Sequence, residues 1–195
     1  MISYIQGKLA ERKPTHAVIE ANGVGYLLFI SIYTYTQLPE SGEIKLHTSL
    51  IIKEDGHHLY GFWTEEERSL FNALISVSGV GPGTARLILS SLEPQSVKHA
   101  IIQGDDLSFK KVKGVGPKTA QRIIIDLKDK LSKEIGSEGT QLNISSSQTK
   151  PGSEAMAALL ALGFSRPAIE QALKSAPKDL SLVEDLIKYS LKKLA

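Results

Sequence analysis

Residues 111–124 read KVKGVGPKTAQRII, and residues 76–89 read SVSGVGPGTARLIL. The two stretches share 8 of 14 positions at a separation of 35 residues, including Gly-Val-Gly-Pro and the Thr-Ala pair behind it. In each, an apolar run enters a Gly-hydrophobic-Gly turn and a proline opens a second helical pattern, the layout of a helix-hairpin-helix. The glycines permit a tight reversal and let the backbone come close to whatever lies outside. Val80 and Val115 are placed to point inward and anchor the turn. The helix that follows presents unpaired N–H groups at its positive end, where an anion such as a phosphate is favoured.

Backbone amides read no base, so a grip of this kind ignores sequence and weakens with salt. Two such turns in one helical segment can hold two phosphates across a duplex groove. The candidate DNA contacts are Gly79, Val80, Gly81, Gly83, Thr84 and Arg86 in the first copy, and Gly114, Val115, Gly116, Lys118, Thr119 and Arg122 in the second. Lys118 and Arg122, one turn apart, add charge-assisted contacts. Around the second turn, residues 110–122 hold Lys110, Lys111, Lys113, Lys118 and Arg122 with no acid, whereas residues 1–64 hold 5 Lys/Arg against 6 Asp/Glu.

The rest of the chain narrows the class. There is no cysteine, hence no disulfide framework and no thiolate metal site. No apolar run approaches the ~20 residues of a membrane span, and the start, MISYIQGKLAERK, lacks the pattern of a signal peptide. The cytoplasm is the expected compartment. Neither glycine turn fits G-x-G-x-x-G or follows a strand, and no G-x-x-x-x-G-K-[ST] occurs, so the chain has no Walker-type ATP site.

Three segments are expected. Up to residue 63 the sequence is β-rich, with Asn22-Gly23 as a hairpin signal and a second turn at Glu54-Asp55-Gly56. Short strands and tight turns in this length suggest an OB-like barrel. His57 and His58 are read as strand or turn residues, with no third ligand spaced for a metal. From Thr64 the pattern is helical, opening on a capping box in which Thr64 caps the turn and Glu67 reaches back to the cap. Helical patterns continue through GTARLILSSL, PQSVKHAIIQ, DLSFKKV and PKTAQRIIIDLKDKL. Residues 134–152, rich in Ser, Gly, Gln and Thr, read as flexible. Three short amphipathic helices follow, with Ser165 and Ser181 as caps and Leu159, Leu162 and Phe164 as core. A tethered bundle of this size suits docking.

These features, as an ordered set along essentially the whole chain, resemble the RuvA family of Holliday-junction-binding subunits. The likeness rests on GVGY at 23–26, EDGHHLYGF at 54–62, ERSLFNALISVSGVGP at 67–82 and GVGPKTAQRIIIDLKDKL at 114–131. It implies a multidomain α+β protein with four parts. Residues 1–63 are an OB-like barrel that builds a homotetramer and carries an acidic pin. Residues 64–140 are a tandem helix-hairpin-helix DNA-binding domain, 141–152 a flexible linker, and 153–195 a three-helix, UBA-like bundle that docks the RuvB ATPase. It further implies that four copies, or two tetramers as a sandwich, hold a four-way junction open and flat for branch migration in recombination and repair, with RuvC resolvase as another partner. The chain then needs no cofactor of its own; ATP and magnesium belong to the partner. Glu54 and Asp55 become the pin, repelling phosphates at the junction centre.

In two places the sequence departs from the family's pattern. Gly83 stands where a lysine often follows the first Gly-Val-Gly-Pro, and Pro117 where another basic residue is often found. On this reading the first hairpin holds its phosphate by backbone, with Arg86 as the substitute charge. The competing readings are a nuclease or glycosylase subunit that uses the same turns for grip, a generic DNA clamp, and an adaptor that meets only proteins. A nuclease needs a carboxylate cluster, and the adjacent Asp105 and Asp106 more simply initiate the helix DLSFKKV.

Overall fold

The computed structural model describes residues 2–54, 56–138, 151–177, 180 and 182–194. Asp55, Ser181 and residues 141–150 of the expected 141–152 linker lie outside the described residues, and the last two linker residues, 151–152, open a helix instead. The chain divides into two compact units, residues 1–140 and 141–195.

The first unit begins with five strands: β1 (Tyr4–Lys13), β2 (His16–Ala21), β3 (Val24–Ile30), β4 (Glu43–Lys53) and β5 (Gly56–Phe62). Alternating side chains such as Ile5, Leu9, Ile19, Leu28, Ile30, Ile44 and Leu46 fill one buried cluster. The strands close in the order β1-β2-β3-β5-β4, with β1 returning to pair with β4 and β3 lying parallel to β5. This is an OB-like barrel. Its first hairpin turns on Asn22 and Gly23, whose φ values of 51° and 79° are the pair of positive angles that a two-residue turn matched to strand twist requires.

Between β3 and β4 lies α1 (Ile32–Gln37), which sequence reasoning did not find. Its residues, IYTYTQ, are β-branched and aromatic and continue the strand-like run before them. The helix forms because Ser31 caps it, accepting from the Thr34 N–H at 3.0 Å, and because Thr34 is buried against the start of the helical region.

The helices α2 (Glu65–Ile75), α3 (Pro82–Ser91), α4 (Pro94–Gln103), α5 (Asp106–Lys110) and α6 (Pro117–Glu138) follow. The last continues to residue 138, past the point where the composition turns polar. Barrel and helices share a core: Tyr60 and Phe62 of β5 meet Phe71 of α2, each with ring centroids 4.9 Å apart.

Thr64 caps α2 as read from the sequence, accepting from the Glu67 N–H at 3.1 Å. The reciprocal half of the capping box does not form. Glu67 is fully buried and its carboxylate accepts instead from the Ser31 hydroxyl, from the Thr34 hydroxyl at 2.6 Å and from the Trp63 N–H at 3.1 Å. Polar flanks extend this seam: Arg68 donates to Ser3 O at 2.9 Å, the Ile32 N–H to Ser90 Oγ at 3.1 Å, and Ser49 Oγ to Asn72 Oδ1 at 2.9 Å.

The second unit holds α7 (Pro151–Ala161), α8 (Arg166–Lys174) and α9 (Val183–Leu194) around Ala155, Leu159, Ile169, Ala172 and Leu186. Gly163, at φ 91°, ends α7 with the Phe164 N–H on Leu159 O and the Gly163 N–H on Leu160 O. That termination turns Leu162 outward, 61% exposed, so only Leu159 of the expected trio is fully buried. Ser165 occupies the N-cap position of α8 without a side-chain hydrogen bond.

Burial pushes the Glu67 carboxyl above its ordinary value of 4.5, while the hydrogen bonds from Ser31, Thr34 and Trp63 pull it down. The Tyr33 phenol is itself pushed up, first by burial and then by Glu67, Glu93 and Glu66. A raised folded value means that the native state holds the proton more tightly than the unfolded chain. The Glu67 contribution is therefore fully present below pH 4.5 and is lost as pH rises through the folded value. Glu67→Gln mimics the protonated form. Urea unfolding of both proteins from pH 4 to 8 checks this, with the wild type losing stability relative to the variant as pH rises. Glu67→Ala, which leaves the Ser31 and Thr34 hydroxyls without their buried acceptor, costs ~3–5 kcal/mol at about pH 4 and less as pH rises.

Candidate nucleic-acid interface

A shift of 35 residues carries the first glycine turn onto the second bond for bond. The Val80 N–H donates to Val77 O at 3.0 Å, and the Val115 N–H to Val112 O at 3.0 Å. The Ala85 N–H donates to Gly81 O at 2.9 Å, and the Ala120 N–H to Gly116 O at 2.9 Å. Gly79 sits at φ 90° and Gly114 at φ 89°.

Most of the shared residues have reasons inside the fold. Val77, Val80, Ala85 and Ile88, with their counterparts Val112, Val115, Ala120 and Ile123, are buried in the helical core. Gly79 and Gly114 supply a backbone angle that side chains rarely adopt. Pro82 and Pro117 start their helices, where a missing N–H costs nothing.

Gly81 and Gly116 have no such reason. Neither has a positive φ, and a Cβ added at either would meet no atom within 4 Å. Gly81 is the N-cap of α3 and makes no side-chain cap. The first-turn N–H groups behind it, at Gly83 and Thr84, have no intrahelical acceptor, and the same holds for Lys118 and Thr119 of α6. The second glycine of each turn thus keeps side chains off a patch of open backbone donors, which is what a phosphate oxygen needs.

Around these turns the charged side chains differ. Lys118 and Arg122 are exposed on α6, in a shallow depression with Gln121, Ile125 and Asp126. Arg122 also reaches across to Ser78 O at 3.3 Å, so the second motif touches the first turn and the two hairpins lie side by side. Lys111 and Lys113 are exposed, whereas Lys110 pairs with Asp106 at 2.7 Å. Arg86, expected to stand in for the basic residue missing at Gly83, turns the other way. It donates to Thr15 O at 2.9 Å and lies 5.7 Å from the Phe29 ring centroid, bracing α3 against the barrel. The first turn is thus left with its backbone donors, while Arg86 is engaged with the barrel.

Asp105 caps α5, accepting from the Leu107 and Ser108 N–H groups at 3.1 and 3.3 Å and from Ser108 Oγ at 2.5 Å. Its carboxyl is held below its ordinary value, chiefly by the Ser108 hydroxyl. Asp105 and Asp106 are thus both engaged in holding α5. On the barrel, Glu54 is exposed at the β4–β5 turn and Ile52 beside it is 67% exposed, while Asp55 lies outside the described residues. Sequence reasoning missed the Glu67 cluster; its one signal, the T-x-x-E spacing, suggested a different partner.

Comparison with known proteins adds an independent line. Residues 1–61 match the family described as RuvA N terminal domain, 71–129 the SAM-like helix-hairpin-helix tandem, and 150–195 the RuvA C-terminal domain. The chain is 46% identical to a protein of Christiangramia forsetii, 47% to one of Flavobacterium psychrophilum and 48% to one of Porphyromonas gingivalis. Each alignment covers 100% of both chains, and each relative is named Holliday junction branch migration complex subunit RuvA.

Two glycines in one turn separate folding from binding. Gly79→Ala forces a left-handed angle on alanine and lowers stability by ~1–2 kcal/mol. Gly81→Ala trades a poorer N-cap against lower unfolded-state entropy and changes stability by less than about 1 kcal/mol, yet weakens binding to a short DNA duplex in a fluorescence titration. Equal loss of stability in both variants would return Gly81 to a purely structural role.

Proposed function

The chain belongs to the RuvA family, and on that premise we propose that it binds four-way junction DNA by shape, through phosphate contacts at its two hairpins. The observation that carries this is the matched pair of open glycine turns, each with a patch of backbone donors left without a backbone acceptor among the described residues. Donors of this kind grip any phosphate, and two of them at fixed spacing grip a duplex arm. Lys118, Arg122 and the exposed Lys111 and Lys113 add a long-range pull on one side.

Discrimination between a junction and a linear duplex has to come from how several such grips are arranged. Four copies joined through their barrels would present four hairpin pairs on one face and spread the arms flat. Glu54, with Asp55, would then stand at the tip of an exposed β-hairpin near the centre. Carboxylates there disfavour phosphates and help keep the strands apart. The C-terminal unit would recruit the RuvB ATPase, which consumes ATP and drives migration, in the cytoplasm. The chain's own part in the reaction is to hold, orient and open the substrate.

The test is a gel-shift titration of the chain alone against a synthetic four-way junction and a linear duplex of the same sequences. A preference for the junction that survives a change of its sequence is the expected result; equal binding would reduce the protein to a generic clamp. In the same assay Lys118→Ala lowers the slope of log affinity against log salt by about one. Deleting residues 150–195 leaves junction binding within about twofold while abolishing stimulation of RuvB, because the hairpins belong to the other compact unit.

A further inference from the structure

We propose that Glu67 is a positioning residue for junction recognition: its buried carboxylate fixes the angle at which the barrel carries the two hairpins, and so sets selectivity for a junction over linear duplex without touching DNA. This rests on the junction-binding reading above.

Glu67 has no exposed surface, so it contacts no ligand directly. It gathers donors from separate parts of the fold: Ser31 and Thr34 of the α1 region, and Trp63 at the corner where β5 hands over to α2. The Trp63 N–H is shared with Thr34 Oγ1 at 3.0 Å, so the group is one connected network. Beside it the seam holds aromatic packing, Phe29 on Tyr60 at 5.8 Å and Tyr60 and Phe62 on Phe71, with hydrogen bonds from Arg68, Ser49 and Ile32 and the His47–Glu65 pair at its more exposed flanks. Packed rings resist separation but tolerate sliding, because apolar burial has little directional preference. Hydrogen bonds to a buried carboxylate fix direction. The rings hold the barrel and helices together, and the carboxylate sets their angle.

The lever is short and direct. From Glu67, α2 runs eight residues to Ile75, immediately before the first turn. At 1.5 Å per residue that is about 12 Å, so a tilt of about 10° moves the turn by about 2 Å, more than a hydrogen bond to phosphate tolerates. The two hairpins are packed into a single core, so their mutual spacing is held by residues of both copies, such as Val80 and Val115. A tilt therefore leaves their mutual spacing unchanged, and a free duplex arm simply follows. A junction held by several copies cannot follow, because its arms are placed by the assembled barrels. Arg86, bracing α3 on Thr15 O, and the Ile32–Ser90 bond support the same orientation from the far side.

The experiment uses the full chain and compares the junction-to-duplex affinity ratio, the duplex salt slope and the thermal midpoint for wild type, Glu67→Met, Glu67→Gln and Thr34→Val. Glu67→Met keeps the volume and removes the acceptor; Thr34→Val removes one strut and serves if the methionine variant does not fold. Ile19→Val, in the barrel core away from the seam, controls for loss of stability. Glu67→Met or Thr34→Val lowers junction affinity about tenfold or more, as expected when several linked grips lose their register. Duplex affinity and salt slope stay within about twofold, because no phosphate contact is removed. Glu67→Gln, which can still accept from Thr34 and Trp63, restores the ratio, and Ile19→Val leaves it unchanged. An unchanged ratio in the folded variants, or junction and duplex affinity falling together, overturns the proposal. A wild-type ratio near one overturns the junction reading and this proposal with it.

Discussion

Between the last turn of α2 and the first turn of α3 the backbone must reverse over Val77–Gly81 without exposing its apolar side chains. One residue then has to take a φ near +90°, and the valines on either side of it have to face the core. Gly79 meets the first demand, Val77 and Val80 the second, and the helix that follows is left with its first N–H groups facing solvent. The rest of the helical region is built around that constraint, met twice. The same solution recurs at Val112–Gly116 with the same two turn bonds, and Arg122 reaches from the second helix to the first turn. The repeat yields what a single turn cannot: two patches of open backbone donors whose separation is fixed by a shared core.

The barrel gives those turns a frame, and its part is to hold the hairpins at a defined attitude. Two kinds of interaction meet at the seam. Tyr60, Phe62 and Phe71 supply apolar burial, and the Glu67 network supplies direction. Burying a carboxylate is costly unless its acceptors are filled, and here Ser31, Thr34 and Trp63 fill them. A buried polar node of this kind is better understood through the conformation it specifies than through net stability.

Much of this was legible in the chain because local chemistry and fold agree. Asn22-Gly23 marked a hairpin, alternating apolar residues marked the strands, and the repeat marked both glycine turns. The barrel and the helix-hairpin-helix pair followed from those. What stayed hidden depends on partners distant in sequence. Glu67 looked like half of a local capping box, but its acceptor role is directed 36 residues back to Ser31 and 33 back to Thr34. Arg86 looked like a phosphate contact from its place on the helix, yet Thr15 lies 71 residues away and takes it. Helix α1 was invisible because Ile32, Tyr33, Thr34 and Tyr35 favour strands, and only the cap and the burial of Thr34 overrule them. Leu162 fits the helical spacing of a core residue but falls where Gly163 ends the helix.

The claim that both turns hold phosphate through their backbone is tested most directly by amide NMR of the chain titrated with a short DNA duplex. The account predicts that the N–H resonances of Gly81, Gly83 and Thr84 and those of Gly116, Lys118 and Thr119 shift together, with one midpoint, and return together when salt is added. Shifts confined to the second turn and its lysines would contradict it, leaving the first hairpin as a structural copy and the interface as a single basic helix.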